Sequence, residues 1–270
     1  MNPKIVIFGS NGMLGRTLFL YLSKFYYVIG LTRQDFDACS PSNLHHISKD
    51  WDENTIIINC IGLIPQKYSV KDQTHHFIQV NSIFPHLLQE TVYQHSSRLI
   101  HITTDCVFDG KEGPYQENSP HTEINIYGVS KSCGEPADAM VIRTSIIGEE
   151  QTGKKSLLEW VRSHQGKTIS GYTHHFWNGL TCLQVGKVIH QCMEKELFWK
   201  GVKHLVSPEI VSKYELVKMI NEVYQLNNRV EPLETPVVNK SLISSLSFQI
   251  PTLFTQIQQQ KEFFDELQRS

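Results

Sequence analysis

The sequence predicts an α/β protein, a doubly wound parallel sheet with a smaller, discontinuous α+β lobe. Three observations predict it. Short apolar, β-branched runs alternate with amphipathic helical stretches from Lys4 to Thr144, as strand–helix–strand units require. The first of these runs breaks into a glycine-rich turn that opens directly onto a helix. After Thr144 the alternation lapses into a loop-rich stretch carrying Trp160, Tyr172, Phe176 and Trp177.

Lys4 to Phe8 (KIVIF) is the first strand. It ends at Gly9, Ser10, Asn11, Gly12, Met13, Leu14 and Gly15, after which Leu14, Leu18, Leu22 and Phe25 recur at helical spacing. Glycines serve a physical purpose here: the backbone must turn sharply and approach a pyrophosphate with no Cβ in the way, while the N–H groups of the helix meet the anion. Gly9, Asn11, Gly12, Met13, Leu14 and Gly15 are therefore expected to contact a dinucleotide, and the sheet to be of Rossmann type. The next strand, Tyr27 to Thr32, ends at Arg33, where such a fold meets the adenosine ribose. A guanidinium there pairs with a 2′-phosphate and favours NADP(H), while Asp35 and Asp37 keep NAD(H) as the alternative. Asp37 is expected in a following short strand, facing the adenine amino group, with a turn or cap role competing.

Thr55 to Cys60 (TIIINC) is a continuous apolar strand suited to burial on both faces. Cys60, Ile61 and Gly62 follow it at the expected cofactor edge. A long helical region then turns Phe77, Val80, Phe84, Leu87 and Leu88 to the core. Asn81 interrupts that face, and is read as solvated, with a tie to the neighbouring strand as the alternative. Ile100 and Ile102 alternate with His101 and Thr103 in a strand that ends at Thr104; a polar loop leads to a helix beginning at Tyr127, and Ala139 to Thr144 is another strand. Residues 1–144 with about 180–206 are expected to form the dinucleotide-binding domain, and 145–179 with 207–270 the smaller lobe. In the second half, Leu157 to His164 reads as a helix with Trp160 on its core side, Leu183 to Phe198 as an amphipathic helix, and Gly201 to Val206 as a late strand returning to the sheet. Ser212 to Tyr224 is a helix opened by a capping box with Glu215. Leu253 to Leu267 forms a last helix with Phe254, Ile257, Phe263 and Phe264 as its buried contacts.

Composition narrows the function classes. A hydrophobic share of 40% with 19% charged residues suits a globular chain, and no apolar stretch approaches the roughly 20 residues a membrane helix needs. The start MNPKIVIFGS runs straight into a glycine turn instead of an export signal, which predicts a cytoplasmic protein without membrane partners. A net charge of -2 offers no general basic surface, so nucleic acid is not an expected partner. The cysteines are scattered without a CxxC pair and read as reduced thiols. The histidine doublets (His45 and His46, His75 and His76, His174 and His175) point about 100° apart on a helix and lack zinc-site spacing, so no metal is expected.

Tyr127 and Lys131, four residues apart on a helix, share a face and can reach one ligand. A phenol titrates near pH 10 and needs a neighbouring ammonium to act as an acid–base catalyst at neutrality. Lys131 is placed to supply it and to hold the nicotinamide ribose, and Thr104 to donate a hydrogen bond to a substrate carbonyl.

With Gly9-x-x-Gly12-x-x-Gly15, the strand-end Thr104 and Tyr127-x-x-x-Lys131, the chain resembles the extended short-chain dehydrogenase/reductases. TTDCVFDG (103–110), RTS (143–145) and WNGLT (177–181) narrow the resemblance to the dTDP-4-dehydrorhamnose reductase group of nucleotide-sugar reductases. The resemblance implies hydride transfer from NADPH to the C4 ketone of a nucleotide-linked 4-keto-6-deoxyhexose, with Tyr127 as proton donor, Lys131 on phenol and ribose, and Thr104 on the carbonyl. It further implies cofactor contacts from Thr103 and substrate contacts from Asp105, Cys106, Ser145, Trp177 and Asn178. Cys106 and Ile146 stand where many members of that group carry aromatic residues, so a dTDP- or a UDP-linked sugar, including a 2-acetamido-2,6-dideoxy-hexos-4-ulose, fits equally. Two other functions stay open: an NAD-retaining epimerase or dehydratase of the same fold, and a non-catalytic subunit like the β subunit of methionine adenosyltransferase. Association as a homodimer is also open, because isolated exposed apolar residues define no interface.

Overall fold

The computed structural model describes residues 2–66, 70–151 and 155–269. Strands β1 (Lys4–Phe8), β2 (Tyr27–Leu31), β3 (Thr55–Asn59), β4 (Arg98–Thr104) and β5 (Met140–Thr144) come first. The short strands β6 (Ile146–Ile147), β7 (Thr168–Tyr172), β8 (His175–Trp177) and β9 (Leu180–Thr181) follow, then β10 (Gly201–His204), β11 (Val211–Ser212), β12 (Arg229–Leu233) and β13 (Val238–Asn239). The helices are α1 (Met13–Leu22), α2 (Leu44–Ser48), α3 (Val70–Ile78), α4 (Phe84–Gln94), α5 (Ile126–Ser132), α6 (Leu157–Ser163), α7 (Cys182–Glu194), α8 (Lys213–Val223) and α9 (Leu253–Arg269). Among the described residues no helix is long and apolar enough to cross a membrane.

One parallel sheet of order β10-β5-β4-β3-β1-β2 carries the fold. Its strands are continuously apolar because both faces are covered. On one face Ile5, Ile7, Ile56, Ile58, Ile100 and Ile142 meet Leu14 and Leu18 of α1 and Val185 and Ile189 of α7. On the other, Val6, Phe8, Ile57, Leu99 and Val141 meet Phe77, Val80, Phe84 and Leu88. The sheet is thus doubly wound. The chain reverses direction across the sheet between β1 and β3, so a crevice opens at the carboxyl ends of those strands.

The smaller lobe has its own core of Leu158, Val161, Ile169, Trp177, Leu216, Ile220 and Ile257. The pair β7–β12 and the three strands β11-β8-β13 frame it. Helix α9, expected wholly in this lobe, begins against its core with Leu253 and Ile257 but ends with Phe263 and Phe264 packed on Leu183 of α7. It therefore joins both bodies.

Several local expectations are corrected. Phe25 lies beyond the end of α1 and is 44% exposed, and Phe254 is only half-buried. Trp160 is 37% exposed, since Leu158 and Val161 supply the inward face of α6. Asp37 is in no strand: its carboxylate accepts from the Cys39 N–H at 3.0 Å, closing a turn. Asn81 is 1% exposed, within a π-helical turn (Gln79–Ile83) between α3 and α4.

A buried charge fastens the two bodies together. Arg143 on β5, 1% exposed, donates from Nε to Glu135 Oε1 at 3.0 Å and from Nη2 to Glu135 Oε2 at 2.6 Å. Its Nη1 meets His204 Nε2 at 2.9 Å and its Nη2 meets His121 Nε2 at 2.8 Å. Both rings must accept there, so each carries its proton on Nδ1, which His204 gives to the Ile243 carbonyl at 2.8 Å and His121 to Ser132 Oγ. Burial, with Arg143 alongside, pulls the His204 pKa down to about 4. The ring of Phe108 lies 5.2 Å beneath the guanidinium. One side chain thus ties β5, β10, the end of α5 and the segment around Ile243. Removing its counter-charge leaves a buried cation unpaired, so Glu135→Gln is expected to lower unfolding stability by about 3–5 kcal/mol in chemical denaturation.

Candidate active site

The glycine turn is a cradle that side chains would fill. Gly9 has φ +80°, a left-handed conformation suited to glycine, and a Cβ on Gly15 would lie 2.2 Å from the Gly9 carbonyl oxygen. The Gly9 and Ser10 N–H groups donate to the Leu31 carbonyl at 2.9 and 3.0 Å, pinning the turn to the end of β2. Helix α1 starts after Gly12 with no side-chain cap, which leaves its first N–H groups for an anion. A cleft of about 190 Å³ opens over the turn, lined among others by Gly9, Asn11, Gly12, Arg33, Asp37, Cys60, Ile61 and Gly62. Met13 is half-buried, whereas Leu14 packs its side chain into the sheet core.

At the expected ribose edge, Asp35 is exposed and bonded within its own turn. Its Oδ2 accepts from the Thr32 N–H at 2.8 Å and from Thr32 Oγ1 at 2.7 Å, and these bonds lower its pKa. Arg33, exposed, and Asp37, half-buried, stand 3.8 Å apart as a charged pair that lines the cleft. A dinucleotide fits this geometry, with its pyrophosphate on the α1 start and its adenosine ribose beside Arg33.

The candidate catalytic residues meet where β4 ends. Thr104 Oγ1 accepts from the Cys106 N–H at 3.1 Å and donates to Asp105 Oδ1 at 3.1 Å, capping a one-turn helix over residues 105–107. Helix α5 packs onto that turn at the closest distance glycine permits: a Cβ on Gly128 would lie 2.6 Å from the Cys106 carbonyl oxygen. Asn125 caps α5 by accepting from the Gly128 N–H at 2.9 Å. The result brings Tyr127 to Thr104. Burial, then the neighbouring Cys106, drive the phenol pKa up, a side-chain hydrogen bond with Thr104 pulls against the rise, and Asp105 adds to it. The phenol therefore holds its proton at neutral pH.

Lys131 lies deeper, 5% exposed, and its Nζ donates to the Ile102 carbonyl at 3.1 Å. A Cβ on Gly62 would sit 3.9 Å from that ammonium, so the lysine borders the dinucleotide cleft. Burial lowers its pKa to about 8, with Glu135 and Cys60 opposing. Lys131 thus lies between the end of β4 and the loop that carries Gly62.

Asn81 holds these parts in register. Its Oδ1 accepts from the Leu63 N–H at 2.9 Å, and its Nδ2 donates to the Leu63 carbonyl and to Ser130 Oγ, both at 3.1 Å. The loop after β3 is thereby locked to α5. Below it, the buried pair Asn59–His101 bridges β3 and β4 at 3.1 Å. Among the described residues His101 Nε2 and Thr103 Oγ1 are buried without a hydrogen-bond partner.

The remaining expected residues are placed unequally. Asp105 is 4% exposed beside Thr104 and Cys106, and burial raises its pKa against the pull of Lys213 and Lys240. Burial also pushes the Cys106 thiol up to about 12, so it stays protonated. Ser145 is half-buried, its carbonyl accepting from the Leu180 N–H at 2.9 Å. Asn178 clamps Leu242 by donating to its carbonyl at 2.8 Å and accepting from its N–H at 2.9 Å. Trp177 is 2% exposed under the Lys213 ammonium, 4.8 Å from its ring centre. Asn81, read from the sequence as solvated with a tie to the neighbouring strand as the alternative, takes a tying role, and Lys213 beside Asp105 and Cys106 is the residue missing from the sequence reading. Asn81 carried a signal, its place within the apolar face of Phe77, Val80 and Phe84; Lys213 carried none.

Comparison with known proteins matches the RmlD substrate binding domain family over residues 3–242. A dTDP-4-dehydrorhamnose reductase of Mycolicibacterium smegmatis is 31% identical over 156 residues, which are 54% of this chain and 46% of that protein, so the match spans about half the relative's length. Methionine adenosyltransferase 2 subunit beta of Bos taurus is 26% identical over 262 residues, 88% of this chain and 77% of that one. In fold, a crystal structure of dTDP-4-dehydrorhamnose reductase from Bacillus anthracis in complex with NADP superposes with a TM-score of 0.82 at 20% identity, covering 98% of this chain and all of that one. The chain belongs to the RmlD substrate binding domain family.

Proposed function

We propose that the protein is an NADPH-dependent oxidoreductase that reduces the C4 ketone of a nucleotide-linked, dTDP or UDP, 4-keto-6-deoxyhexose, supplying a deoxysugar of the rhamnose or N-acetyl-rhamnosamine type for a glycan. The observation that carries this reading is the meeting of Thr104 with a protonated Tyr127 at the end of β4, beside a Lys131 that borders the dinucleotide cleft. The dTDP-4-dehydrorhamnose reductases among its relatives support it.

A nicotinamide cofactor, when bound, supplies the hydride. Everything else falls to the chain. Thr104 Oγ1, turning its proton from Asp105 Oδ1 to the substrate, donates to the carbonyl oxygen and polarises it. Tyr127 then passes its proton to that oxygen as negative charge builds, and the high phenol pKa keeps the proton available until then. Lys131 holds the ribose hydroxyls and adds positive charge near the reacting centre. Arg33 faces a 2′-phosphate, which favours NADPH over NADH.

A non-catalytic role is the second reading, favoured by the long alignment to the methionine adenosyltransferase subunit. The intact Thr104, Tyr127 and Lys131 set weighs against it. An NAD-retaining epimerase or dehydratase is the third, and NAD co-purifying tightly with the protein would overturn the reductase reading. The deciding experiment is a screen of NADPH oxidation against dTDP- and UDP-linked 4-keto-6-deoxy sugars, with product stereochemistry determined.

With the substrate in hand, Tyr127→Phe is expected to lower kcat at least about a hundredfold while leaving the NADPH dissociation constant unchanged; undiminished turnover would remove the acid role. The pH dependence has a definite sign. Lys131 is charged below about 8 and neutral above it, so kcat/KM for NADPH, which reports the free protein, should fall as pH rises through about 8. Lys131→Met should flatten the profile in that range.

A further inference from the structure

Residues 238–243 form a strap between the smaller lobe and the loop that leaves the catalytic turn. On one side β13 pairs with β8, matching Val238 to His175 and Asn239 to Phe176, and Asn178 holds Leu242. On the other side the strap is stitched to residues 110–115. The Asn239 N–H donates to the Gly110 carbonyl at 2.7 Å, the Tyr115 N–H to the Ser241 carbonyl at 2.9 Å, and the Ile243 N–H to the Tyr115 carbonyl at 2.7 Å. Only glycine allows so close an approach, since a Cβ on Gly113 would lie 2.0 Å from the Asn239 carbonyl oxygen.

Lys240 reaches from the middle of this strap to the start of α5. Its Nζ donates to Glu123 Oε2 at 3.4 Å, and the two side chains are only 22% and 15% exposed. The other carboxylate oxygen, Oε1, accepts from the Ile124 N–H at 3.0 Å and the Asn125 N–H at 3.2 Å. Asn125 caps α5 just ahead of Tyr127, and the Glu123 N–H is held by the Val107 carbonyl at 3.1 Å. A helix of seven residues is too short to hold itself, so its direction is set by what grips its ends. Glu135 and Arg143 grip the far end, and Glu123 the near one. Mutual attraction counts for more in this pair than in an exposed one, where water screens both charges. Without the lysine, a largely buried carboxylate would lose its counter-charge.

We propose that Lys240 is a positioning residue for the catalytic acid: its pair with Glu123 latches the smaller lobe to the start of α5 and holds Tyr127 beside Thr104. This rests on the ketoreductase reading. Proton transfer requires the phenol within hydrogen-bond reach of the forming alkoxide, so a loosened helix costs rate more than binding. The dinucleotide cleft is lined from the ends of β1, β2 and β3, and its occupancy does not depend on the latch.

A double-mutant cycle of Lys240→Met and Glu123→Gln tests this, read by steady-state kinetics with a ketosugar, by NADPH binding, and by the 13C ring resonance of Tyr127 assigned with Tyr127→Phe. Lys240→Met is expected to lower kcat about tenfold, with the ketosugar KM changed by less than about threefold and NADPH binding unchanged. The double variant should be no slower than the slower single one, as loss of one shared contact requires. Lys240→Arg should restore most of kcat and return the Tyr127 resonance, shifted in both single variants, to its original position. A kcat unchanged within about twofold overturns the latch even if thermal stability falls, and so do additive losses. Should Lys240→Met fail to bind NADPH, Lys240→Gln takes its place. If the parent protein reduces no ketosugar, the reductase reading falls and the Tyr127 resonance decides the latch: a shift reversed by Lys240→Arg upholds it, and an unshifted resonance overturns it.

Discussion

A guanidinium sealed from water has to be answered by charge and hydrogen bonds on every side, and Arg143 organises much of this molecule through that requirement. Its partners come from distant parts of the chain. Glu135 follows α5, His121 precedes it, His204 belongs to the sheet's edge strand, and His204 in turn holds Ile243. Helix α5 carries Tyr127 and Lys131, so the arrangement that neutralises Arg143 also anchors both ends of the helix bearing the reactive side chains. A side-chain network of this kind is costly when half satisfied and restrictive when complete.

Three close approaches finish the work. Gly15 meets the Gly9 carbonyl, Gly128 meets the Cys106 carbonyl, and Asn81 spans the gap between the loop after β3 and α5. The first shapes a cradle for a dinucleotide. The second brings the phenol to Thr104, and the third sets Gly62 beside Lys131. In the same packing the phenol lies with Thr104 and Cys106, and the Lys131 ammonium meets the Ile102 carbonyl beside Gly62.

Much of this was legible in the residues. A strand, a glycine turn and a helix within the opening stretch have few structural interpretations, and the strand pattern through Thr144 matches the sheet to within a residue or two. Tyr127 and Lys131 were legible because helical spacing puts them on one face. What escaped has physical reasons. A π turn inserts an extra residue without any compositional mark, so Asn81 looked like a solvated break in an apolar face and is instead buried. Trp160 looked like core because aromatic rings usually are; Leu158 and Val161 fill that face. Asp37 was misplaced because a carboxylate that closes a turn resembles one that ends a strand. Lys213 was invisible because its place beside Asp105 and Cys106 depends on the smaller lobe meeting the turn after β4, which leaves no local pattern.

The chemistry proposed for this site is the movement of a hydride to a sugar carbon. NADPH carrying deuterium at both nicotinamide C4 positions, incubated with the protein and a dTDP- or UDP-linked 4-keto-6-deoxyhexose, tests it directly by mass spectrometry and NMR of the sugar product. One deuterium at C4 of the hexose is the predicted result. A product without deuterium at that carbon, or a sugar altered while the cofactor stays reduced, would contradict the account.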